Sequence, residues 1–164
     1  MNSSGPRWLA RDLKELEMGR YFEDFEIGEE AISAGRTITE ADIVNFAMLT
    51  GDWNEIHTNA VLAAQGPFKQ RIAHGALIFS VATGLSVRMG QTADTVIAFY
   101  GLDRLRFVKP VFIADTVRVR QKCEAKSERD ETSGIVTFLN EVINQNETVV
   151  VSYTAKVLLK RRPK

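Results

Sequence analysis

Arg71-Ile72-Ala73-His74-Gly75-Ala76-Leu77-Ile78-Phe79-Ser80-Val81-Ala82-Thr83-Gly84-Leu85-Ser86-Val87 is the stretch on which the architecture turns. From Ala76 to Val87 it is apolar nearly all round. A helix with that pattern is enclosed on every side, because no face prefers water. It is too short to span a bilayer and reads as a core helix. Gly75 stands at its start, where the first N–H groups of a helix lack partners within the helix and a missing side chain lets a ligand approach them. Thr83 and Gly84, small residues within it, suggest close approach by a strand, a partner helix or a ligand.

Downstream, the hydrophobic period changes to two. Thr95 to Val108 reads as one long strand with a bulge at Gly101. Val117, Val119, Cys123 and Ala125 alternate with polar residues in the next strand. Ser127 to Gly134 reads as a charged hairpin loop, Ile135 to Ile143 as a strand, and Asn144 to Glu147 as a turn. The last strand, Thr148 to Leu159, carries Val149, Val151, Tyr153, Ala155, Val157 and Leu159 on one face. Long alternating strands joined by short turns predict an antiparallel sheet. That sheet needs a cover and the apolar helix needs a surround, so the expectation is an α+β fold with the sheet wrapped around the helix.

Upstream, residues 1–18 read as an N-terminal extension, with Leu9, Leu13 and Leu16 at the spacing of a short amphipathic helix. A single domain is expected over 19–164. Tyr21 to Ile38 reads as a loop and an edge strand ending at Arg36-Thr37-Ile38. Thr39-Glu40-Ala41-Asp42 is a capping-box pattern that starts a helix with Ile43, Phe46 and Ala47 on one face. That helix stops before Gly51, which puts Asp52 and His57 on a loop. The chain has two histidines, His57 and His74, and both lie close to this region. A carboxylate beside an imidazole is the usual way to hold one tautomer and to perform acid–base work near neutral pH.

The composition is that of an ordinary soluble globular chain: 164 residues, 45% hydrophobic and 26% charged. A formal net charge of zero argues against a nucleic-acid or anionic-membrane partner. One cysteine excludes an intrachain disulfide, and with only two histidines a metal site is not expected. The N-terminus has neither a signal nor a transit pattern, so a cytoplasmic location is expected.

Two motifs, Gly51-Asp52-x-Asn54-x-x-His57 and Ile72-Ala73-His74-Gly75, together resemble the MaoC-like dehydratases, which include the (R)-specific enoyl-CoA hydratases and have the hot-dog fold. Gly19 to Phe25 and Arg106-Phe107-x-Lys109-Pro110-Val111 with Asp115-Thr116 add support, and the resemblance runs from about Gly19 to Leu159. It implies reversible addition of water to a trans-2-enoyl thioester of coenzyme A or of a carrier protein, with no cofactor. Asp52 and His57 would hold and activate the water, and the Gly75 N–H would meet the thioester carbonyl. Asn54, Ala73, His74 and Thr83 fall at substrate-binding positions. The chain departs from the family pattern at Glu55, where proline is usual, at Asn59, where aspartate is common, and at Ala76 and Thr83, where methionine and serine are frequent. None of these removes a reacting group.

Other readings stand beside that one. An Asp–His pair can be a structural hydrogen bond, His74 can simply hold the start of the helix, Asn54 can fix its loop, and Thr83 can be core. Arg104, Arg106 and Lys109 could meet coenzyme A phosphates or form a solvated strand face. A non-catalytic acyl-thioester-binding or regulatory protein and a thioesterase fit the same scaffold. One unit of this fold leaves a sheet edge open, so a homodimer or higher homo-oligomer is expected.

Overall fold

The computed structural model describes residues 19–163. The helix expected near Leu9, Leu13 and Leu16 lies outside the described residues. Helices α1 (Glu40–Thr50), α2 (Glu55–Thr58), α3 (Ala60–Gln65) and α4 (Gly75–Arg88) all precede the long strands. Two short strands, β1 (Glu30–Ile32) and β2 (Arg36–Thr37), come first; β3 (Val96–Phe107), β4 (Thr116–Glu128), β5 (Ser133–Ile143) and β6 (Val149–Lys160) follow α4.

The six strands form one antiparallel sheet in the order β1-β4-β5-β6-β3, with β2 also on β4. The inward row of β4 includes Val117, Val119 and Cys123, and that of β5 includes Val136, Phe138 and Val142, all buried. Leu77, Ile78, Val81, Ala82 and Leu85 of α4 pack into this concave face with Val119, Val142, Val151 and Ala155. The sheet does wrap the helix. The ladder slips between Phe99 and Gly101 of β3, the irregularity expected there.

One expectation needs correcting. The long helix is not enclosed on every side: Ala76, Ser80, Gly84 and Val87 are exposed. These positions recur at three- and four-residue spacing and so form one face. Their small or apolar side chains gave the sequence its all-round apolar look, but only the opposite face meets the sheet. The edge strand β3 is similarly bare. It pairs only with β6 among the described strands, and Val96, Ile97, Phe99, Tyr100 and Phe107 are about half exposed.

α1 begins where its capping box says. Thr39 Oγ1 accepts from the Asp42 N–H at 3.2 Å, and the Asp42 carboxylate accepts from the Thr39 N–H at 2.8 Å. The helix ends on Gly51, whose φ of 75° is the left-handed conformation that glycine adopts without strain. This turn throws the chain into the Asp52 loop. Thr39→Ala is expected to lower unfolding stability by about 1 kcal/mol without changing the denaturant slope, as read by urea titration.

Candidate active site

The Asp52 loop is held by bonds of its own making. Asp52 Oδ1 accepts from the Asn54 N–H at 3.3 Å, and Asn54 Oδ1 caps α2 by accepting from the Ile56 N–H at 3.2 Å. Thr58 Oγ1 donates to the carbonyls of Trp53 and Asn54. Asn54 is thus a loop-fixing residue. His57 does not stand on the loop, as the sequence suggested, but on the single turn of α2. Asn59 caps α3 through its side-chain oxygen, so asparagine here keeps the capping that aspartate would supply. Glu55 is exposed in the first turn of α2, where a negative charge is favoured.

His57 is buried, and its Nδ1 lies 2.7 Å from the Ile72 carbonyl oxygen. A carbonyl can only accept, so Nδ1 carries the proton and Nε2 keeps the free lone pair. The tautomer is therefore set by a backbone carbonyl and not by Asp52, contrary to the sequence reading. His74 is treated in the same way: its Nε2 donates to the Asp52 backbone carbonyl at 3.0 Å. The two imidazoles stack with centroids 3.8 Å apart and planes at 29°. Asp52, His57 and His74 offer side-chain donor atoms within 4.8 Å of one another. Asp52 is exposed, so the cluster opens to the surface.

Burial pushes the His57 pKa below its usual value. The Ile72 hydrogen bond and the Asp52 carboxylate pull it up, while His74 adds to the downward push. The net effect leaves a neutral imidazole with a free lone pair at neutral pH, the form that accepts a proton.

His74 is the N-cap residue of α4 and makes no side-chain cap bond. Gly75 follows as the first helical residue, its N–H among those without an intrahelical acceptor. A methyl group on Gly75 would lie 2.7 Å from the Phe107 ring at the end of β3. Ala73 is buried beside it, its N–H donating to the Val111 carbonyl at 2.8 Å. The loop, the stacked histidines and the start of α4 thus converge on one corner.

Thr83 does not join them within one chain. Eight residues along α4 from Gly75, it is about 12 Å away. It donates to the Ser80 carbonyl and lines a separate cavity of about 240 Å³ between the second half of α4 and the sheet. The walls of this cavity include Val96, Phe99, Gln121, Asn140 and Tyr153. The sequence reading missed Gln121 and Asn140. Their signal was available: each is the polar member of an otherwise apolar inward row. Arg104, Arg106 and Lys109 are exposed at the far end of β3 and just beyond it.

Residues 24–146 match the family described as MaoC like domain. The chain belongs to the MaoC-like dehydratase family. It is 42% identical over 114 residues to protein MaoC of Klebsiella aerogenes, a match covering 70% of this chain and 33% of that protein. It is 40% identical over 108 residues to a 3-hydroxybutyryl-CoA dehydratase of Methylorubrum extorquens, covering 66% of each. The chain thus spans between a third and two thirds of these relatives. Among solved structures, a monoamine oxidase regulatory protein from Archaeoglobus superposes with a TM-score of 0.84 at 37% identity, covering 88% of this chain and 97% of that one. A Mycobacterium tuberculosis protein described as a double hotdogfold superposes at 0.76 over 90% of this chain and 46% of that one, at 21% identity, which speaks for the fold alone. The hot-dog fold expected of this family is the one observed.

Gly75→Ala is expected to lower unfolding stability by about 1–3 kcal/mol through the clash with Phe107. Phe107→Ala in the same chain should recover part of that loss, so the double-mutant cycle in urea should be clearly non-additive.

Proposed function

We propose that this protein adds water reversibly to a trans-2-enoyl thioester, as an (R)-specific enoyl-CoA hydratase or 3-hydroxyacyl-thioester dehydratase of fatty acid metabolism. The observation that carries the reading is His57, with its Nδ1 proton on the Ile72 carbonyl, its pKa lowered, its Nε2 lone pair free and the Asp52 carboxylate near its ring. Asp52 orients a water. His57 Nε2 takes one of its protons as the oxygen bonds to C3 of the enoyl group. Charge that moves to the thioester oxygen meets the Gly75 N–H at the positive end of α4. The Asp52–His57 pair then returns a proton to C2 as the enolate collapses. Nothing is oxidised or reduced, and the pair ends as it began.

A second copy completes the pocket. Phe107, at one end of β3, packs on Gly75, whereas Val96 and Phe99, at the other end, wall the Thr83 cavity. Two copies joined antiparallel along this bare edge put the Gly75 corner of one against the Thr83 cavity of the other. Val87, on the exposed face of α4, shares the cavity wall with Val96 and Phe99 of that edge strand. The acyl chain then runs from the Asp52–His57 corner of one copy into the cavity of its partner. Coenzyme A is the carrier we expect, since a relative is described as acting on 3-hydroxybutyryl-CoA.

Hydration of a short trans-2-enoyl-CoA, followed by loss of ultraviolet absorbance, is expected for the wild type and should fall by at least about 100-fold in Asp52→Asn and in His57→Ala. Folded variants that keep the wild-type rate would refute the assignment, and release of free coenzyme A without hydrated product would point to a thioesterase. The base must be neutral, and its pKa is lowered from 6.5, so the acid limb of kcat/KM should titrate below pH 6.5.

Light scattering should give a dimer for the wild type. A charged residue on the bare edge, as in Ile97→Lys, should shift it toward monomer and reduce activity together. A fully active monomer would contradict the shared site.

A further inference from the structure

The cavity between the second half of α4 and the sheet has walls that an acyl tail does not need. Gln121, Asn140 and Tyr153 are direct cross-strand neighbours on β4, β5 and β6, so they form one polar row across the concave face. All three are at least nine-tenths buried. Apolar residues flank them along each strand: Val119 and Cys123, Phe138 and Val142, Val151 and Ala155. Buried polar side chains are destabilising unless bonded, and plain hydrocarbon would fill such a row at least as stably.

The row is only partly satisfied from within. Gln121 Nε2 donates to Asn140 Oδ1 at 2.9 Å, and Asn140 Nδ2 donates to the Phe138 carbonyl at 3.2 Å. Those bonds leave the Gln121 carbonyl oxygen to accept. Burial pushes the Tyr153 phenol up to about 12, with a hydrogen-bonding contact to Ser86 on α4 pulling the other way, so the phenol is a neutral hydroxyl at physiological pH. Ser86 Oγ is buried beside that phenol but makes no hydrogen bond of good geometry, to it or to any other group. Donors and acceptors thus face one another across the cavity, from the helix above and the sheet below. No charged side chain lines it among the described residues. Its volume, about 240 Å³, has room for several heavy atoms at about 30 Å³ each.

We infer that the substrate is an enoyl thioester whose distal chain carries a neutral oxygen function, a hydroxyl or a carbonyl, bonded by Ser86, Tyr153 and the Gln121–Asn140 pair. This rests on the hydratase reading above. A plain alkyl tail would leave the Ser86 hydroxyl and the Gln121 carbonyl oxygen without a good partner, and sites built to bond an oxygen discriminate against analogues that lack it. A carboxylate or ammonium tail would bring an uncompensated charge into an uncharged chamber.

The test compares three medium-chain trans-2-enoyl-CoA compounds with a methyl, a hydroxyl and a carboxylate at the distal end. For the wild-type protein, kcat/KM should be about tenfold higher for the hydroxyl compound than for the methyl one, the worth of about one neutral hydrogen bond, and lowest for the carboxylate. Tyr153→Phe and Ser86→Ala should each move the hydroxyl-to-methyl ratio toward one. Tyr153→Phe keeps the ring that packs edge-on against Phe79, so its fold should be retained. A preference for the methyl compound, or a ratio that neither variant moves, would overturn the inference while leaving hydration intact. If none of the three is hydrated, the hydratase reading fails instead. The polar-tail inference is then decided by calorimetric binding of saturated acyl-CoA analogues with the same three ends, where tighter binding of the hydroxyl analogue supports it and equal or weaker binding overturns it.

Discussion

The helix Gly75–Arg88 has two faces, and one sheet can cover only one of them. Leu77, Ile78, Val81, Ala82 and Leu85 are removed from water by the concave face, and that burial is what curves the sheet around the helix. Ala76, Ser80, Gly84 and Val87 are left over. The edge of β3 is left over for a related reason, since the strand has β6 on one side and no strand on the other among the described residues. Val87 of the first and Val96 and Phe99 of the second wall one cavity, while Phe107 of the second covers Gly75 at the helix start. The same constraint that builds the core therefore leaves an exposed helix face and an open strand edge in each chain.

The corner that holds Asp52, His57 and His74 is assembled by backbone carbonyls. Ile72 and Asp52 each present a carbonyl oxygen to an imidazole, and that chemistry sets both tautomers without any carboxylate. Stacking at 3.8 Å then locks the His57 ring against His74. The result is a neutral His57 with its lone pair on Nε2, close to an exposed carboxylate. His74 is best described as a positioning residue: its ring holds its neighbour, and its place as N-cap ties that neighbour to the start of α4.

Much of this was legible in the residues. The capping box at Thr39 and Asp42, the helix stop at Gly51, the bulge near Gly101 and the period-two strands were all local signals, and each is found where it was expected. Asp52, His57, His74 and Gly75 were singled out by type and spacing, and they do converge. Other expectations failed because they depend on what lies across space. Alanine, serine and glycine read as interior residues on a helix, yet a short side chain is tolerated on either face, so sequence could not say which one the sheet would take. A carboxylate five residues from a histidine looked like its partner, yet the chain turned a carbonyl to the ring first.

The polar row shows the limit most clearly. Gln121, Asn140 and Tyr153 lie 13 to 32 residues apart in the chain and become adjacent only through the register of β4 on β5 and of β5 on β6. On its own, the amino-acid order determined the element types, the hot-dog arrangement and which residues gather at the start of α4, because periodicity, caps and motif spacing act over a few residues. Only the tertiary structure decided which helix face remains bare, which atom orients His57 and what lines the cavity, because strand register and helix rotation are set by packing the whole core at once.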